Sequence, residues 1–317
     1  MTIHRLRFVQ RIKATGWLYS ALILPFYFLR FVYFSLKGRS LWFYRYPPGH
    51  YGSPLPSAVE IRKNRDRLFQ STCLQKDGVD LNASGQERLL REIMPFMGEF
   101  KPHRIASNGK RYFHENPMFG FNDGFVLFAF LRKFKPQQVM EIGSGYSSAL
   151  MVDTAEEYLP DCHFTFVDPY STTVGPLLAG TPVGKFEIIR ERVQDLDLNA
   201  FGKLRENDIL FIDSSHVLKI GSDLSALLFA VLPSLSKGVI VHFHDICYPF
   251  EYPEKLMMEG RAWNEVYMIR AFLQFNQTFE ILFLSSFVEK NFQQAIDENL
   301  PGYTCGDGNS LWLRKIA

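Results

Sequence analysis

The sequence predicts an α/β fold, a mostly parallel sheet with helices on both faces, preceded by a helical N-terminal extension. Three observations predict it. Short apolar runs alternate with helical stretches from about residue 117 to the end. Polar, ligand-capable residues recur just after those runs, where open α/β sheets bind their ligands. Hydrophobic residues make up 47% of the 317, enough for a large buried core.

Three regions are expected, 1–40, 41–104 and 105–317. The first carries Arg5, Arg7, Arg11 and Lys13, then an apolar run over 17–29, which resumes over 31–36 after Arg30. Its unbroken 13 residues span roughly 20 Å as a helix, short of a roughly 30 Å hydrocarbon core. Three readings stay open for 17–36: an interfacial helix in peripheral membrane contact, a span in which Arg30 snorkels, or a helix buried against the rest of the chain or a dimer partner. The expected location is cytoplasmic, at the inner face of a membrane if that contact is made.

Residues 43–57, rich in Pro, Gly and aromatics, read as an irregular connector in which His50 and Tyr51 could belong to a lid. Helix is expected over 60–68, and again from Ser84, with Glu87 at capping-box spacing. A helix over 123–134 leads into seven apolar strands: Gln138–Ile142, His163–Val167, Phe186–Ile189, 208–212, 239–243, Phe279–Leu284 and 310–313. Helices are expected between them at Tyr146–Tyr158, near 175–179, and over 198–204, 218–232 and 262–275. No comparable helical segment separates the last two strands, which suits an antiparallel, hairpin-like pair.

After the first strand come Gly143, Ser144 and Gly145, and after the second comes Asp168. Glutamate 191 and then Gln194 and Asp195 follow the third; Asp213, Ser214, Ser215 and His216 follow the fourth; His244 and Asp245 follow the fifth. Glycines at a strand-to-helix turn permit positive φ and close ligand approach, and the helix N-terminus offers free N–H groups. A nicotinamide loop would place a third glycine where Ser148 stands. Glu141, before the first glycine, favours a ligand with a positive centre or an amino group, and S-adenosylmethionine (SAM) carries both. A carboxylate at Asp168 can accept ribose hydroxyls.

Asp213, His216, His244 and Asp245 form a second candidate edge, with His242 and His244 on one strand face. They could ligate a divalent cation such as Mg²⁺, with Asp213, His244 and Asp245 as ligands, or supply a metal-free base, His216 or His244. They could also simply satisfy one another. Asp223 reads as a helix-start residue rather than a ligand. Trp263 and Asn264, in RAWNE, could face a substrate cleft or only pack and cap.

Over about residues 105–315 the chain resembles the class I SAM-dependent methyltransferases of the group called methyltransferase family 24. The most specific stretches are VMEIGSGYSSALMVD, DILFIDSSHVLKIGSD, GVIVHFHDICYPFEYP and EGRAWNEVYMIRAFLQFN, with RYPPGHYGSP and ENPMFGFNDG upstream. The resemblance implies a Rossmann-like, seven-stranded sheet and SAM as cofactor. It sets Gly143, Ser144 and Gly145 against the methionine part, Asp168 on the ribose, and Gln194 and Asp195 near the adenine, and Glu141, Tyr146 and Ser147 are counted with them as cofactor-binding residues. Some SAM-dependent O-methyltransferases hold Mg²⁺ with acids after these same strands, the second strand then usually ending in Asp-Asn. Here Ile246 follows Asp245 and cannot coordinate.

The expected function is in-line methyl transfer to oxygen on a small-molecule or glycan-like acceptor, with base or metal assistance. Two other readings fit an open sheet. The missing third glycine counts against a nicotinamide-dependent oxidoreductase. Intact Gly143, Gly145, Asp168 and Asp213 count against a non-catalytic, membrane-tethered binding protein. A net charge of +2 argues against a nucleic-acid partner, and four scattered cysteines suggest a reducing compartment. A homo-oligomer is compatible with the sequence.

Overall fold

The computed structural model describes residues 49–69, 78–106, 110–181, 186–306 and 308–317, with isolated positions at 25, 28, 29 and 32. Apart from those positions, the apolar segment 17–36 lies outside the described residues. Among the described residues no helix is long and apolar enough to cross a membrane. The chain divides into two units, Met1–Leu68 and Phe69–Ala317.

In the first unit, α1 (Ala58–Lys63) starts where Ser57 Oγ accepts the Glu60 N–H at 2.9 Å; α2 (Arg65–Phe69) follows and ends on the first residue of the second unit. Ahead of α1 the chain is irregular, as its composition predicts, with Tyr51 exposed.

The second unit holds one seven-stranded sheet in the order β3-β2-β1-β4-β5-β7-β6. Its strands are β1 (Gln138–Ile142), β2 (His163–Val167), β3 (Phe186–Ile189), β4 (Ile209–Ile212), β5 (Ile240–Phe243), β6 (Phe279–Leu284) and β7 (Leu311–Lys315). β1 to β5 pair in parallel; β7 runs antiparallel to both β5 and β6. Every residue of β4 and β5 is buried, which requires cover on both faces and explains why β4 reads as an unbroken apolar run and β5 as one broken only by His242. Among its helices are α3 (Ala83–Ile93), α4 (Phe121–Phe134), α5 (Tyr146–Tyr158), α6 (Asp223–Ala226), α7 (Glu265–Leu273), α8 (Ser285–Asn291) and α9 (Gln293–Asn299), with further short helical segments between them.

Three local expectations are corrected. The helix expected from Ser84 starts one residue earlier, and its capping box is not used. Asn82 precedes it in the left-handed region and donates instead to Glu280 Oε1 and the Ile281 carbonyl, tying α3 to β6. Glu87 pairs with Arg91 one turn on. The helix expected over 218–232 starts at Asp223, after Ser222 accepts the Ser225 N–H, and relaxes into a π-turn over Leu227–Val231. Finally, α8 and α9 separate β6 from β7. The buried Glu289 breaks their apolar pattern; its carboxylate accepts the Gly306 and Gly308 N–H groups and so belongs inside.

Candidate functional site

The turn after β1 is built around Gly143. It lies at φ +83°, and a Cβ there would stand 1.9 Å from the Asp213 carbonyl oxygen at the end of β4. Only glycine allows the two strand ends to touch at this point. Gly145 differs from expectation: its φ of −176° is ordinary extended backbone, and a Cβ would meet only Thr173 Cγ2, at 3.7 Å. The protein's own packing therefore leaves room at Gly145, as a cradle for a ligand would.

Glu141 is fully buried beneath this turn. Its two oxygens accept the hydroxyls of Ser147 and Ser148, and Ser148 Oγ also accepts the Gly145 N–H at 3.0 Å. Glu141 and Ser147 thus brace the loop from inside. Burial pushes the Glu141 carboxyl up from 4.5 to about 8, against the two serine hydrogen bonds. A carboxyl that keeps its proton to about pH 8 when folded, but only to 4.5 unfolded, favours the folded state at low pH. That stability is lost as pH rises from 4.5 through about 8, by about 1.4 kcal/mol per unit at most. Glu141→Gln is neutral throughout. Its melting temperature should fall less than that of the wild type between pH 6 and 9, and parallel curves would show that Glu141 does not hold a proton.

At the end of β2, Asp168 is half-buried and faces the same turn. Its Oδ2 accepts the Ser144 hydroxyl at 3.0 Å, and its Oδ1 accepts the N–H groups of Tyr170 and Ser171. Tyr146 packs edge-on to Phe113, with ring centroids 5.3 Å apart. Past β3, Gln194 donates to the Gly221 carbonyl, while its Oε1 is buried with no hydrogen-bond partner among the described residues. A ligand donor is what that oxygen lacks. Asp195 is exposed and paired with Arg192 at 2.7 Å. The glycine turn, Ser144, Asp168 and the Gln194 oxygen fit SAM: a gap without side chains, a carboxylate for hydroxyls and an orphaned acceptor.

The second edge converges on His216. Its Nδ1 stands 2.7 Å from Glu265 Oε2, and its Nε2 lies 3.4 Å from Asp213 Oδ1 and 3.7 Å from Asp245 Oδ2. His216 and Asp245 are both left-handed, at φ +59°, a strained state for non-glycine residues that persists where neighbours fix it. Those neighbours are visible. The Asn264 and Glu265 N–H groups donate to the His216 carbonyl, and the Asn264 side chain both accepts from and donates to the Leu218 backbone. Trp263 packs on the His216 ring at 4.2 Å. Asp223 opens α6 and accepts the Ser215 N–H and hydroxyl, so it is the helix-start residue it was read as.

The charges follow from this packing. Burial opposes a positive His216, but the carboxylates of Asp213 and Glu265 outweigh it and raise the imidazole from 6.5 to about 10. Burial would raise Asp213, yet His244 and His216 hold it below its usual range. Carboxylates face both ring nitrogens, and a ring protonated at both would have no lone pair to take a further proton. His244 is buried against Phe119; its Nδ1 has no partner among the described residues, and Asp213, Asp245 and Asp123 together raise it despite burial. His242 lies on the same face as His244 but points into the core, stacked on Phe211 with centroids 3.7 Å apart. Burial drives it neutral.

The expected metal set does not fit. Among the described residues no group of three or more His, Cys, Asp or Glu side chains is placed to hold a metal ion. His216 stands between Asp213 and Asp245 instead, and His244 turns against an aromatic ring.

Two acids were missed. Glu265 was read only as part of RAWNE, although it shares the buried face of α7 with Ile269 and Leu273, at spacings of four and eight. A charge within an apolar stripe was the available signal. Asp123, buried at the start of α4, accepts from Ser310 Oγ at 2.5 Å and from the Asn309 N–H, beneath His244 and Asp245.

Residues 140–246 match methyltransferase family 24, described as a methyltransferase domain. An uncharacterized protein of Archaeoglobus fulgidus is 32% identical over 169 residues, covering 52% of this chain and 76% of the relative. Among solved structures, the SAH-bound methyltransferase PaMTH1 of Podospora anserina is 16% identical at a TM-score of 0.41, with 84% of this chain and 100% of that chain covered. The O-methyltransferase TomG of Streptomyces achromogenes, solved with SAM, is 13% identical at a TM-score of 0.40, covering 82% and 97%.

Proposed function

The chain belongs to the class I SAM-dependent methyltransferases, and from that premise we propose that it methylates a hydroxyl oxygen of a small-molecule or glycan-like acceptor at the Asp213–Asp245 edge. One observation carries the reading. The cofactor turn and the carboxylate edge meet at a single backbone contact, Gly143 on the Asp213 carbonyl, at the ends of the adjacent strands β1 and β4. A methyl donor held by the first is therefore beside any acceptor held by the second.

SAM supplies an electrophilic methyl group on a sulfonium. The chain's own residues supply the rest. The turn and Asp168 hold the donor. Asp213 and Asp245, with side chains 31% and 25% exposed, are the acids at the edge that can receive a hydroxyl. With SAM bound, the acceptor oxygen would take the methyl group and S-adenosylhomocysteine would leave, while Asp213 or Asp245 would accept the hydroxyl's proton. Holding both partners in line removes much of the entropic barrier. Oxygen suits this edge because carboxylates stand there to receive the proton a hydroxyl must lose.

Calorimetry with SAM and with NAD tests the donor half. SAM should bind and NAD should not. Asp168→Ala should weaken SAM about 10–100-fold, the value of one hydrogen bond to a charged group. Equal binding of the two ligands, or unchanged SAM binding by the variant, would sink it. For the acceptor half, labelled SAM offered with panels of polyols, phenols and amines should label oxygen; labelling of amines alone would overturn the choice of atom.

A further inference from the structure

The geometry points to His216 as a built-in cation that bridges Asp213 and Asp245 in the role a divalent metal ion would otherwise fill, so that acceptor positioning at this edge is metal-independent. The inference rests on the reading of this edge as the acceptor site and deepens it.

The argument starts from the ring. A neutral imidazole has one N–H and one lone pair. A lone pair 2.7 Å from Glu265, or within 3.7 Å of both Asp213 and Asp245, would face negative oxygen. Only the doubly protonated ring donates on both sides. Its Nδ1–H donates to Glu265 Oε2 at 2.7 Å, and its Nε2–H faces the two strand-end acids, 3.4 Å from Asp213 and 3.7 Å from Asp245. The groups facing the ring from each element packed on it are Asp213 after β4, Asp245 and His244 after β5, and Glu265 with Trp263 at the start of α7. Three of these are carboxylates.

The ring also occupies the space a metal would need. Mg²⁺ holds its oxygens at about 2.0–2.1 Å in an octahedron, and a cation drawn to Asp213 and Asp245 together would lie against the Nε2 proton. The ring cannot readily withdraw. Its Nδ1 is held by Glu265, which is 1% exposed, and the His216 carbonyl accepts two N–H groups from the start of α7. A fixed imidazolium keeps the two acids apart and partly neutralised, yet leaves both open to an acceptor hydroxyl. Metal ligation would spend those lone pairs on the ion.

Removal of the ring should therefore create a metal site where the wild type has none. Full-length wild type, His216→Ala and His216→Lys, each with saturating SAM, would be titrated with Mn²⁺ and free Mn²⁺ read by electron paramagnetic resonance. Melting temperatures would be taken with Mg²⁺ and with chelator. The wild type and His216→Lys should show no stoichiometric site and no shift. His216→Ala should bind Mn²⁺ at least about tenfold more tightly, because two facing carboxylates have lost their counter-ion. If that variant does not fold, His216→Asn, which is neutral and closer in size, should gain the same site. Stoichiometric Mn²⁺ binding by the wild type would overturn the inference, as would folded Ala and Asn variants that bind Mn²⁺ no better than the wild type. Calorimetry with SAM on the same preparations keeps the two readings apart. Loss of SAM binding there would count against the methyltransferase reading, while the Mn²⁺ result still decides the role of His216.

Discussion

Gly143→Ala is expected to lose SAM binding by at least about 100-fold and to destabilise the chain by about 3–5 kcal/mol, among the largest effects of any single substitution. The new Cβ would stand 1.9 Å from the Asp213 carbonyl oxygen and 2.9 Å from its carbon. Both are backbone atoms, so no side-chain rotation relieves the overlap. The left-handed φ of +83° adds a cost of about 1–2 kcal/mol for any residue with a Cβ. The chain can escape only by parting the β1 turn from the end of β4, which displaces the cofactor cradle and Asp213 together. Gly145→Ala is the contrast. Its Cβ finds ordinary contact with Thr173 at 3.7 Å, so it should fold within about 0.5 kcal/mol of the wild type. Any loss of SAM binding it shows then reports the closeness of the ligand. Melting curves and calorimetry on both variants read the two effects separately. A Gly143→Ala chain that melts with the wild type and binds SAM would refute the account of the turn.

The donor side was legible in the sequence because its chemistry is local. Gly143, Ser144 and Asp168 each sit just beyond an apolar run, and strand order alone brings such positions to one edge of the sheet. The same rule found Asp213, His216, His244 and Asp245. It could not tell what these four do, because their roles depend on a residue 49 positions from His216. Glu265 reaches the site through the fold of α7 onto the chain after β4, and spacing carries no trace of that pairing. The two glycines of the turn read alike in sequence but differ in fact: one is required by the protein's own backbone, and the other leaves a space. Helices α8 and α9 were hidden by a buried acid that follows loop N–H groups rather than helical periodicity.

Glu265→Leu should cost about 3–5 kcal/mol at neutral pH, because it leaves a buried imidazolium without its closest partner. Glu265→Gln keeps an acceptor for Nδ1 but not the charge, and should lie between that variant and the wild type. The pH dependence separates loss of charge from loss of packing. His216 is raised from 6.5 to about 10, so its stabilisation is complete below pH 6.5 and is lost as pH rises through about 10. Glu265 is itself raised by burial, against the pull of His216, and its share is lost in the same direction. The stability gap between wild type and Glu265→Leu should therefore be widest near pH 6 and narrow steadily towards pH 10. A gap that stays constant would mean that neither member of the pair is ionised and that Glu265 only fills space. Glu265 touches neither the cofactor turn nor Asp168, so SAM affinity should hold in both variants while methyl transfer falls. That split belongs to a residue that acts through His216, which it holds between two acids that must stay apart for an acceptor to reach them.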